Sequence, residues 1–283
     1  MELIRSYCSI VVGLSHITVG SAPALHFSRP AQRSLALQPA DSPSRLVRPS
    51  TSEAPAALLP PPLQFEKNSF TNRNKIRTCG GWCWLTVPLK TSGRFGDLAI
   101  AQVEISTERR WAEKHWNSIL LNYSKANYFR EHADFFETIF SRPWERLNPL
   151  LREITTYLLD AFGISTKILF SSEINAFGRK SELVLELCRT VGATSYLSGS
   201  LGRNYLDEVA FEQAGIAVSY QEYHHPTYKQ LYPGFEPYMG AIDLLFNCGP
   251  ESLNVIMQGQ APLANTAGTS GPAHPQTLQS ERS

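Results

Sequence analysis

The chain has 283 residues, enough for one large domain or two small ones with a real core. A formal net charge of +1 with 18% charged residues leaves no field strong enough to coat nucleic acid or hold an anionic membrane surface. No run approaches the roughly 18–20 apolar residues that span a bilayer, and the five scattered cysteines suit reduced thiols, so a soluble, cytoplasmic chain with a small-molecule substrate is expected.

Residues 1–62 and 259–283 differ from everything between them. They hold 12 of the 19 prolines but only two aromatic residues, Tyr7 and Phe27. Such composition cannot bury enough apolar surface to offset chain entropy, so both flanks are expected to be disordered. The small-residue run Ser21 to Ala24 resembles a leader cleavage site. Glu2 offsets Arg5 and the apolar stretch before it is short, so no secretory leader is expected.

The middle, 63–258, reads as one α/β domain. Trp82 to Leu89 is aromatic and β-branched between Gly80-Gly81 and Pro88, a buried strand. Arg109 to Asn122 spaces Trp111, His115, Trp116, Ile119 and Leu120 at the helical period, and Tyr128 to Phe140 repeats it. A third helix runs from Glu145 to Phe162, so a helical insertion occupies about 109–163. From there the pattern is strand Thr166–Ser171, helix Lys180–Val191, strand Thr194–Leu197, helix Asp207–Ala214, strand Ile216–Tyr223. Such β-α-β-α-β units make crossovers in a parallel sheet. The expected fold is therefore doubly wound and mainly parallel, with ligands at the carboxyl ends of the strands.

Four segments carry chemistry. The run Ser198-Gly199-Ser200-Leu201-Gly202-Arg203-Asn204-Tyr205-Leu206-Asp207 passes from a strand through two glycines to a helix start. It can cradle an anion by backbone, or it is an ordinary turn capped by Asp207. It is neither a Walker loop nor a Rossmann fingerprint. Asn72-Arg73-Asn74-Lys75 pairs two amides with two cations, a phosphate clamp or a solvated charged turn. His225 follows a strand end and His115 lies on an apolar helical face, each a proton-transfer candidate or a packed core histidine. Cys79 and Cys83 lack a second ligand pair, so no protein metal site is expected.

Phe65 to Ile76, Trp84 to Pro88, Lys114 to Trp116, Tyr196 to Gly199, Asn204 to Asp207 and Asp243 to Gly249, taken in order, resemble the WbqC-like protein family over about 63–257. Members are associated with bacterial surface-polysaccharide or O-antigen loci. The resemblance implies a cytoplasmic transferase acting on nucleotide-activated sugars or small acyl or aminoacyl groups. A non-catalytic binding or scaffold protein of a glycan-assembly complex, or an inactive truncated member, is the alternative. The resemblance implies a nucleotide or nucleotide-sugar as cofactor or donor, with a divalent metal compatible and the oligomeric state open.

On that reading Asn72, Arg73, Asn74, Lys75, Asn122, Tyr123, Ser198, Gly199, Gly202 and Tyr205 bind substrate, and His115, His225 and Asp207 are catalytic. Where members usually begin with a strand and a His-Gln-Pro run, this chain has Pro-rich sequence ending in Pro60-Pro61-Pro62. A central strand and a catalytic histidine are therefore expected to be missing, the result of a wrong start or reading frame. The His-x-Pro strand of the family and the Ser-Gly loop also look like the nucleotidyltransferase superfamily, in which the Ser198 to Asp207 loop would hold a nucleotide and Arg73 and Lys75 would stabilise phosphoryl charge.

Overall fold

The computed structural model describes residues 15–18, 56–59, 70–91, 100–107, 110–165, 167–170, 174 and 176–259. The expected disordered tail after Gly259, the run Ser21 to Ala24 and the ends Thr166 and Ser171 of the first expected strand of the β-α-β-α-β run lie outside them. Nine strands are placed among the described residues: β1 Ser15–Thr18, β2 Ala56–Leu59, β3 Arg73–Thr78, β4 Gly81–Thr86, β5 Leu89–Lys90, β6 Glu104–Ile105, β7 Lys167–Phe170, β8 Ser195–Gly199 and β9 Ala217–Gln221. The α-helices are α1 Trp111–Tyr123, α2 Phe129–Ser141, α3 Leu147–Ala161, α4 Lys180–Thr190, α5 Glu208–Gln213, α6 Ala241–Cys248 and α7 Ser252–Gln258.

A five-stranded sheet runs in the order β7-β2-β1-β8-β9. β7 pairs parallel with β2 and β8 with β9, while β1 pairs antiparallel with both of its neighbours. Four strands thus share one direction and the middle strand opposes them. The architecture is mixed α/β and mostly helical, with two further two-stranded sheets, β3-β4 and β5-β6.

Strands β1 and β2, both before residue 63, stand in the middle of the sheet. Segment composition conceals them because each is only four residues long. Asn72 to Lys75 was open to reading as a charged turn, yet Arg73 begins β3. Its register sets Ile76 opposite Cys83 and Lys75 opposite Trp84, so one hairpin face joins the core and the other carries Arg73, Lys75 and Arg77.

Packing separates along the same lines. Helices α1, α2, α3 and α6 close over the β3-β4 hairpin, burying Ile76, Ile119, Tyr123, Phe129, Phe136 and Phe246. Their apolar residues recur every three or four positions, which is why the helices form and why each buries one stripe. The sheet side has its own core, in which Tyr196 of β8 stacks on Phe211 of α5 at 5.7 Å beside Leu187 and Cys188 of α4. Arg152 of α3, with its guanidinium 3.6 Å from the Phe170 ring of β7, bridges the two. No helix among the described residues is long and apolar enough to cross a membrane.

Candidate functional site

The helical side holds a cleft of about 90 Å³ at the edge of β3. Asn72, Arg73, Asn74 and Lys75 line it, together with His115 of α1, and so do apolar side chains of α1, α2 and α3 such as Ile119, Phe136, Phe140 and Leu150. Two segments some forty residues apart thus meet. Hairpin pairing fixes the convergence: Arg73 lies opposite Thr86, and the Thr86 carbonyl accepts from His115 Nε2 at 3.1 Å. Asn72 closes the hairpin mouth, donating from Nδ2 to the Val87 carbonyl at 2.8 Å while its own carbonyl accepts from Val87 N–H.

The start of α6 completes the cleft. Gly240 N–H donates to the Lys75 carbonyl at 2.8 Å, and a Cβ on Gly240 would stand 3.0 Å from that oxygen and 3.1 Å from Asn74 Cγ. Only glycine allows the backbones to come this close. With its pKa lowered by burial His115 is neutral near pH 7, and because Nε2 donates to a carbonyl the lone pair is at Nδ1. Burial between Trp111 and Phe140, whose rings stand edge-on at 5.2 and 5.8 Å, pulls its pKa down to about 4.

Beneath the cleft lies a carboxylate, 0% exposed, in the first turn of α6. Asp243 Oδ1 accepts from Tyr123 Oη at 2.7 Å, and Oδ2 accepts from Tyr228 Oη at 2.8 Å and Gln230 Nε2 at 3.0 Å. Tyr123 Oη in turn accepts from the Arg77 backbone N–H at 2.8 Å. One carboxyl group therefore ties α1, β3 and the 228–236 segment to α6. Burial raises its pKa, and the three hydrogen bonds oppose that shift. The Arg77 guanidinium, also buried, donates to the carbonyls of Thr78, Gly81 and Pro233.

The other residues singled out in the sequence do not line the cleft. Asn122 Nδ2 donates to the Ser118 carbonyl, and Tyr123 serves Asp243. His225 sits among Tyr228, Phe235 and Tyr238 with both ring nitrogens engaged, Nδ1 with the Pro226 carbonyl and Nε2 accepting from Tyr238 N–H at 3.0 Å. Ser198, Gly199, Gly202, Tyr205 and Asp207 belong to the sheet side. Asp207 caps α5, its Oδ1 accepting from Ala210 N–H at 3.1 Å. A Cβ on Gly202 would stand 2.0 Å from Ser198 Oγ and 3.0 Å from Leu206, whereas nothing lies within 4 Å of a Cβ on Gly199. Gly202→Ala is therefore expected to cost about 1–3 kcal/mol in urea unfolding and Gly199→Ala under about 0.5; equal costs would show that the loop does not pack as described.

The sequence matches the profile of the WbqC-like protein family over residues 60–255. That is more than half of the chain. This protein belongs to the WbqC-like family. A Mycobacterium tuberculosis (strain ATCC 25618 / H37Rv) protein described as "Uncharacterized protein Rv1507c" is 36% identical over 192 residues, which covers 67% of this chain and 82% of its own. No solved structure matches. Every residue lining the cleft of this WbqC-like chain falls inside the matched span, and so does Asp243. Asp243 opens one of the motifs that carried the resemblance, yet no role was read from it. The available signal was a lone acid inside the apolar run Ala241-Ile242-Asp243-Leu244-Leu245-Phe246.

Proposed function

We propose that this WbqC-like protein is a transferase acting on nucleotide-activated sugars or small acyl or aminoacyl groups in surface-polysaccharide (O-antigen) assembly. One observation carries the reading: Asn72, Arg73, Asn74 and Lys75 meet His115 at a cleft whose depth is apolar. The cations, on the outer face of the same strand, would hold the anionic carrier beside the cleft, and the apolar depth would take the small transferred group. His115 Nδ1 would accept the proton of the attacking hydroxyl or amine. Among the described residues no group of three His, Cys, Asp or Glu is placed to hold a metal, so a divalent cation would enter with the phosphates of the nucleotide. The family resemblance supplies the polysaccharide context.

Arg73→Ala is expected to weaken nucleotide-sugar binding about tenfold in calorimetry while leaving the unfolding temperature unchanged. An equal fall in stability would assign Arg73 to structure. A second reading, a non-catalytic binding protein of a glycan-assembly complex, is favoured by the low basicity of His115. It requires binding without turnover when nucleotide-sugars and acyl donors are supplied together.

A further inference from the structure

The outer face of the β3-β4 hairpin is a ladder of rings and cations. Arg73 holds its guanidinium 4.3 Å from the centre of the Trp84 ring, and Lys75 Nζ stands 4.2 Å from Trp82 and 5.4 Å from Trp84. Phe70 packs on Trp84 at 5.3 Å, and Trp82 meets Trp84 edge to face at 5.7 Å. The two indoles make a corner with a flat floor and an upright wall. Trp82 is 43% exposed although it is the largest kind of apolar side chain. The Lys75 ammonium forms no ion pair among the described residues, so the N–H donors not turned toward the rings can reach an anion.

We propose that this corner is a nucleotide site, with phosphate on Lys75 and Arg73 and the base stacked on Trp82. Charge complementarity selects an anion, and the exposed indole selects a flat ring beside it. Both features within one ligand describe a nucleotide. A polynucleotide is disfavoured because the chain's net charge is only +1. The corner lies on the hairpin face opposite the cleft, with the charged ends of Arg73 and Lys75 on Trp84 and Trp82, so it would hold the carrier from outside the strand whose backbone borders the cleft. The inference rests on the transferase reading and names the carrier.

Calorimetric titration with uridine, adenosine and guanosine diphosphates, each against inorganic pyrophosphate, tests it on the full chain. At least one nucleotide is expected to bind about tenfold more tightly than pyrophosphate. Trp82→Ala should erase that difference while leaving pyrophosphate binding intact, and Trp82→Phe should retain most of it. Because Trp82 is partly exposed, both variants are expected to melt like the parent. Equal binding of nucleotide and pyrophosphate, or a preference indifferent to Trp82→Ala, overturns the stacking site and leaves the transferase reading standing. No binding of any of these ligands overturns both. Tighter binding of a dT20 oligonucleotide than of any mononucleotide overturns the proposal in favour of a strand-binding surface.

Discussion

Asp243→Ala is expected to lower the unfolding free energy by roughly 3–5 kcal/mol, the largest single-residue effect outside the apolar core. Three donors, Tyr123 Oη, Tyr228 Oη and Gln230 Nε2, converge on a carboxyl group that no solvent reaches. Removing it takes away the acceptor they share, most severely for the fully buried Tyr123 hydroxyl, and a buried group left without an acceptor costs about 1–3 kcal/mol when it cannot relax toward water. The losses are not additive, because the residues form one network. Tyr123 retains the Arg77 N–H as a donor partner, and Gln230 retains the Glu236 carbonyl. Asp243→Asn should cost less, because its amide oxygen still accepts on one side while its NH₂ faces donors on the other. Urea unfolding followed by tryptophan fluorescence reads both values. A loss under about 1 kcal/mol for Asp243→Ala would mean that water replaces the carboxylate and that the four segments hold together without it.

The same network shows what the sequence can and cannot convey. Helices α1, α2 and α3 were legible because each repeats large apolar residues at three and four, and α4, β8, α5 and β9 because short turns punctuate them. Strand β3 was not, since five of its six residues are polar or charged and only Ile76 reports the buried face. Its partner β4 was, through Trp82, Trp84 and Leu85. The short strands β1 and β2 escaped because four residues carry no detectable period, and β2 also stands in Pro-rich sequence.

For the site, residue type pointed to Asn72 through Lys75 and to His115, but only the pairing of Arg73 with Thr86 and the His115 bond to Thr86 explain why they meet. The Ser198 to Asp207 loop has the same kind of residues, and its packing against α5 and Ser198 accounts for Gly202 and Asp207 without a ligand. Asp243 escaped because its meaning lies in residues 13, 15 and 120 positions away.

His115 sets the second large effect, and its sign follows from burial. In the unfolded chain its pKa is near 6.5; in the folded protein it is about 4, chiefly because the ring is desolvated. The unfolded state therefore takes up a proton first as pH falls. The stability that His115 contributes is full above pH 6.5, declines below it, and is lost once pH has fallen through 4. The whole change amounts to about 3 kcal/mol. Asp243, with a raised pKa, acts in the opposite sense: its contribution is present at low pH and lost as pH rises through its folded value.

The histidine is therefore isolated by comparing the protein with His115→Phe across pH 4 to 8. Phenylalanine keeps the ring against Trp111 and Phe140 but cannot titrate. It leaves the Thr86 carbonyl without its donor, so the variant should be the less stable at pH 7. The gap should narrow steadily toward pH 4 as the parent loses its histidine term. A gap independent of pH would show that His115 is solvated in the folded protein. The same ring would then titrate near neutrality and could protonate a leaving group, as well as accept a proton from an attacking one.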